Sequence, residues 1–109
     1  MKVFKVSSMI DGSGEYILGA EQTGSHACYL IYGRMAPGEK DRVLRPGGGH
    51  EEIFLAVRGD FSLSGEKELV VKEGEAVHLK GDETFHAENI TDSEAVYVMA
   101  GGHSEGGHH

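Results

Sequence analysis

The chain has 109 residues, 39% hydrophobic and 26% charged, with a formal charge of −8. That length suits one domain with a modest core, and the composition is that of a folded globular protein. An acidic balance disfavours nucleic acid and anionic membrane surfaces as partners, because phosphates draw basic surfaces. No apolar run approaches the roughly 20 residues that span a bilayer. The alternating start, Met1-Lys2-Val3-Phe4-Lys5-Val6, lacks the apolar block of a signal peptide, so a cytoplasmic protein is expected.

In chain order, short apolar or alternating runs are interrupted by glycine, and no run repeats at helical spacing over three turns. Strands are expected over 3–6, 16–18 and 27–35, the last broken by Pro37-Gly38. Within it Cys28, the single cysteine, excludes an intrachain disulfide and is expected to be a buried, inert thiol among Ala27, Tyr29, Leu30 and Ile31. Before it, Asp11-Gly12-Ser13-Gly14-Glu15 reads as a turn, too short and lacking the closing Glu of a calcium loop. Arg45-Pro46-Gly47-Gly48-Gly49 is a loop, and no Gly-Lys-Ser/Thr or helix follows to make it a phosphate site. Further strands are expected over 53–57, 61–63, 68–72, 76–79, 86–90 and 95–100, with 17 glycines in the chain supplying tight turns. Many short strands without helices predict an all-β sandwich or barrel. The domain is expected to span 1–100, with 101–109 a flexible Gly/His-rich tail, since the tail has no apolar residue to bury.

The run Gly48-Gly49-His50-Glu51-Glu52-Ile53-Phe54-Leu55-Ala56-Val57-Arg58-Gly59-Asp60 carries the most chemistry. His50 and Glu52 lie two residues apart on a strand and so share a face, side by side at the end of the glycine loop. His78 is of opposite parity to Val77 and Leu79, which are expected inward, so His78 is expected to face solvent. His26 is an outlying candidate.

Glu52, Phe54, Val57 and Gly59 resemble the first motif of the cupin superfamily, with Gly33-Arg34-Met35-Ala36-Pro37-Gly38 before it matching the usual strand ending in Pro-Gly. Gly74-Glu75-Ala76-Val77-His78-Leu79 resembles the opening of the second motif, and His86-Ala87-Glu88-Asn89 its close. The resemblance covers about residues 27–100. It implies a cupin-type double-stranded β-helix, a jelly-roll barrel with a pocket inside. It also implies a site for a divalent transition metal (iron, manganese, nickel, cobalt or zinc) or a small polar metabolite, and a homodimer with residues Val3, Phe4 and Val6 adding a strand to the partner. The pattern is degenerate: Pro46 and Gly48, or Arg45 and Gly47, stand where the family's His-x-His lies, and strict alignment on Asn89 puts Phe85 at the third His.

The candidate metal set is therefore His50, Glu52 and His86, with Glu51 a distant candidate acid or base and Tyr32, Phe54 and Tyr97 an aromatic pocket wall. A second reading stays open beside it. In that reading Glu52 is a buried acceptor for loop amides or for Arg34 or Arg45, His50 and His86 cap strand ends, and the barrel is a non-enzymatic module for a sugar or small acid. Whether the chain is an enzyme is left open by the sequence.

Overall fold

The computed structural model describes residues 1–103. Nine strands form two sheets: β1 (Glu15–Leu18), β2 (Cys28–Met35), β3 (Arg42–Leu44), β4 (His50–Arg58), β5 (Phe61–Ser64), β6 (Glu68–Val71), β7 (Ala76–Lys80), β8 (Phe85–Asn89) and β9 (Ala95–His103). The larger sheet runs β1-β2-β9-β4-β7 and the smaller β3-β8-β5-β6, and every pairing is antiparallel. The two sheets face one another as a jelly roll, as expected. Among the described residues no helix is long and apolar enough to cross a membrane.

Alternation along each strand sets the inside and the outside. On β4, Glu52, Phe54 and Ala56 are buried while Ile53, Leu55 and Val57 are exposed. At the centre Phe54 stacks on Tyr97 at 5.0 Å, and Phe61 meets both edge-on at 5.3 and 5.7 Å. Each such ring contributes on the order of 1.5–3 kcal/mol by leaving water. Gly33, the cross-strand partner of Tyr97, lies beneath its ring; a Cβ there would sit 2.2 Å from the ring. Arg42 fixes the edge of this core, donating to the Arg34 carbonyl at 2.8 Å and pairing with Glu39 at 2.7 Å. Buried Asn89 donates to the carbonyls of Met35, Ala36 and Ser93 and accepts from Thr91, so one side chain holds the turn into β9.

Four expectations are corrected. Residues 3–6 form no strand; a 3₁₀ turn, Val6–Ser8, lies there instead. A one-turn helix, Ala20–Thr23, follows β1, its start closed by the Gln22 side chain accepting from the Gly19 amide; four residues are too few to show a helical period. Cys28 is exposed rather than buried, because it lies near the end of β2 and on the opposite parity to Ile31 and Met35. The barrel also continues past 100: Gly101 pairs with Tyr29 and Glu52, and His103 with His50. The remaining tail positions, including His108 and His109, lie outside the described residues. The expected turn at Asp11 is present, with its carboxylate accepting from the Ser13 amide at 2.8 Å and from the Ser13 hydroxyl.

Candidate functional site

The glycine loop delivers the site. Gly47 and Gly49 take positive φ values of 93° and 80°, a conformation that costs little without a Cβ, and the His50 amide donates to the Gly47 carbonyl at 3.1 Å. Gly81, beyond β7, abuts this loop so closely that a Cβ would lie 2.0 Å from the Gly47 carbonyl oxygen. The turn is thereby pinned, and β4 begins at His50 with the inward parity that also points Glu52 into the barrel.

His50 and Glu52 line one cavity of about 380 Å³ at the barrel mouth. Its apolar side comes from Ile17, Ala20, Ile31 and Pro46, and its polar side from Tyr29, Arg45, His26 and His103. Tyr29 lies over Gly101 on the adjacent strand, where a Cβ would meet the ring at 2.3 Å, and its hydroxyl donates to Glu52 Oε2 at 2.6 Å. Its ring also meets that of His50 edge-on at 5.9 Å, and His50 packs against His103 at 4.9 Å. His103 is held by its Nε2, which donates to the His26 carbonyl at 3.0 Å.

Glu52 is the anomaly. It is 4% exposed, and its second oxygen, Oε1, is buried without a hydrogen-bond partner among the described residues. Buried carboxylate oxygens ordinarily find donors, so this one marks a place where a donor from outside would be accommodated. Burial pushes the Glu52 carboxyl above the usual range; the Tyr29 hydrogen bond opposes that, the charge of Glu15 adds to it, and His50 opposes it. The Tyr29 hydroxyl is pushed up as well, by burial first and then by its carboxylate partner, so it stays a protonated donor.

The structure gathers His50 and Glu52 but does not bring His86 to them. His86 sits on β8 between inward-facing Phe85 and Ala87, paired with exposed Val43, and points out of the barrel. Among the described residues no three His, Cys, Asp or Glu side chains group as a metal site would need. The donor set expected for a metal is thus not formed, and the residues present do not fit a three-ligand centre. Of the expected aromatic wall, Phe54 and Tyr97 are wholly buried core, and Tyr32 has the outward parity on β2; none lines the cavity. His78 faces solvent as expected and pairs with Glu51 at 2.6 Å, which places Glu51 outside the barrel too. Glu52 is bonded by neither Arg34, which donates to the Ser7 carbonyl, nor the loop amides.

Tyr29 is the site residue that sequence reading passed over, and His103 is one it set in a flexible tail, able to reach the mouth only at an entropic cost. Tyr29 reads as core, and His103 falls in a glycine-rich stretch. The available signal was the pattern of aromatic and glycine on β2 and β9, Gly33 facing Tyr97 and Tyr29 facing Gly101.

No protein-family model and no curated protein matches the sequence. Solved structures do match in shape. A Cupin 2 conserved barrel domain protein from Salinispora arenicola superposes with a TM-score of 0.75 at 16% identity, covering 95% of this chain and 90% of that one. A cupin domain from Schizosaccharomyces pombe gives 0.64 at 10% identity over 72% of this chain and 54% of that one. A sugar phosphate isomerase from a cupin superfamily, from Silicibacter pomeroyi, gives 0.62 at 21% identity over 84% and 60%. The chain therefore spans only a little over half the length of these last two. The likeness establishes the fold: a cupin barrel.

Proposed function

We propose that this cupin-fold chain is a small-molecule binding module, taking a compact organic ligand at the barrel mouth without a metal ion. The observation that carries the reading is Glu52 Oε1, a buried acceptor with no partner among the described residues, on the wall of a cavity of about 380 Å³. A volume of several hundred Å³ with apolar sides and few polar groups suits a metabolite-sized ligand. Tyr29 holds the carboxylate in place, and a ligand N–H or O–H completes its hydrogen bonding. His50 and His103 flank the entrance, and the Ile17 and Ile31 side takes the apolar part of the guest. The divalent transition metal implied by the family resemblance finds only His50 and Glu52 of its expected donors at this cavity, which is why the reading does without it.

A thermal-shift screen of small polar metabolites, run in chelator, tests the reading. The expected result is at least one stabilising compound whose affinity, measured by calorimetry, falls about tenfold or more in Glu52→Gln, the loss that follows from weakening a charge-assisted hydrogen bond. A ligand that binds the variant as tightly as the native chain, or that binds only when metal is restored, would overturn it.

A further inference from the structure

The cavity lining carries charges of both signs. Glu52 is its buried carboxylate, with Glu15 near enough to raise that carboxyl further. The negative charge of Glu52 disfavours an anion beside it. The ring of Tyr29, next to that carboxylate, presents a π surface that also favours a cation over an anion. Arg45, exposed and lining the same cavity, makes no ion pair among the described residues. Its guanidinium offers donors in a fork suited to a carboxylate or phosphate. Ile17 and Ile31 line the same cavity and offer no hydrogen-bonding side-chain atoms.

We infer that the ligand class is a short zwitterion: an amine or ammonium set against Glu52, an aliphatic spacer along Ile17 and Ile31, and a carboxylate at Arg45. The inference rests on the proposed binding function and narrows it. Amino carboxylates of metabolite size fit a cavity of about 380 Å³, and the spacer replaces water along apolar walls. A ligand with only an anionic group would leave Glu52 Oε1 unpaired and bring like charges together. One with only an amine would leave Arg45 unused.

The test uses three probes of one chain length against the full chain: delta-aminovalerate, valerate and pentylamine, titrated by calorimetry in chelator. Delta-aminovalerate is expected to bind about tenfold or more tightly than either single-ended analogue, the preference of a site that engages both ends. Glu52→Gln should reduce its affinity to that of valerate, and Arg45→Gln to that of pentylamine. Circular dichroism confirms that both variants keep the native sheet signal. Valerate or pentylamine matching delta-aminovalerate in the native chain would overturn the zwitterion assignment. The same holds if an unrelated metabolite binds through Glu52 while none of the three probes does. No binding by any probe, together with no Glu52-dependent hit in the metabolite screen, would overturn the binding function itself.

Discussion

Glu52 is withdrawn from water, and only one of its oxygens accepts a hydrogen bond among the described residues. Its carboxyl is raised in the folded chain, chiefly by burial, so the native state holds its proton to higher pH than the unfolded chain does. Stability therefore falls as pH rises from the ordinary carboxylate range through the raised native value, and above that it levels off at the lower figure. Glu52→Gln removes this titration. Chemical denaturation at neutral pH should show the variant more stable, with the gap closing as pH drops below the ordinary range, where Glu52 is neutral in both states. A variant less stable than the native chain at neutral pH would contradict the account. Here the residue that weakens the fold is the one the proposed ligand would satisfy.

At the scale of elements, the site depends on a loop that is fixed from outside. Gly81 approaches the Gly47 carbonyl and the His50 carbonyl, at 2.0 and 2.8 Å from an added Cβ, so Gly81→Ala must push the 47–50 turn away from its seat. Overpacking of this kind costs about 1–3 kcal/mol. The displaced turn carries His50 and the start of β4, so ligand affinity should fall together with the melting temperature. Gly48→Ala, where a Cβ meets nothing within 4 Å, is the control that should change neither greatly. Equal behaviour of the two variants in calorimetry and melting would show that the loop is not pinned.

The same elements show what sequence could and could not disclose. The inward pairing of His50 with Glu52 was legible because strand parity is local, and so was the outward turn of His78. The separation of His86 was not, since it depends on which residues of β8 face the smaller sheet's interior: Phe85, Ala87 and Asn89 fill it, which leaves His86 outside. Asn89, read as the close of a motif, proved to be a buried hub of five hydrogen bonds. The end of the barrel was misplaced because glycine weakens a strand in isolation, whereas Gly101 is held under the ring of Tyr29 by its neighbour.

On the whole molecule, the outer face of the larger sheet presents apolar side chains that the described residues leave partly or largely exposed. Tyr16, Tyr32, Val98 and Leu55 align in one cross-strand row, and Leu18, Leu30, Ala100 and Ile53 in the next. Ile53, Leu55 and Val57 are 51%, 36% and 46% exposed along β4. A contiguous apolar face of this kind marks an interaction surface. A homodimer is a proposal that this face serves, in place of strand addition by Val3, Phe4 and Val6, which form no strand. A two-fold contact places the same apolar rows against each other and needs no second patch. Each copy carries a formal charge of −8, so long-range repulsion opposes the encounter and only burial favours it. Association should accordingly strengthen with added salt, which screens the repulsion and leaves burial intact. Sedimentation velocity over a concentration series should show dimers, more of them at high ionic strength, and a double exchange of Ile53→Lys with Leu55→Lys should leave monomers with native circular dichroism. A native chain that stays monomeric throughout, or a dimer that survives the double exchange, would remove this face as the contact.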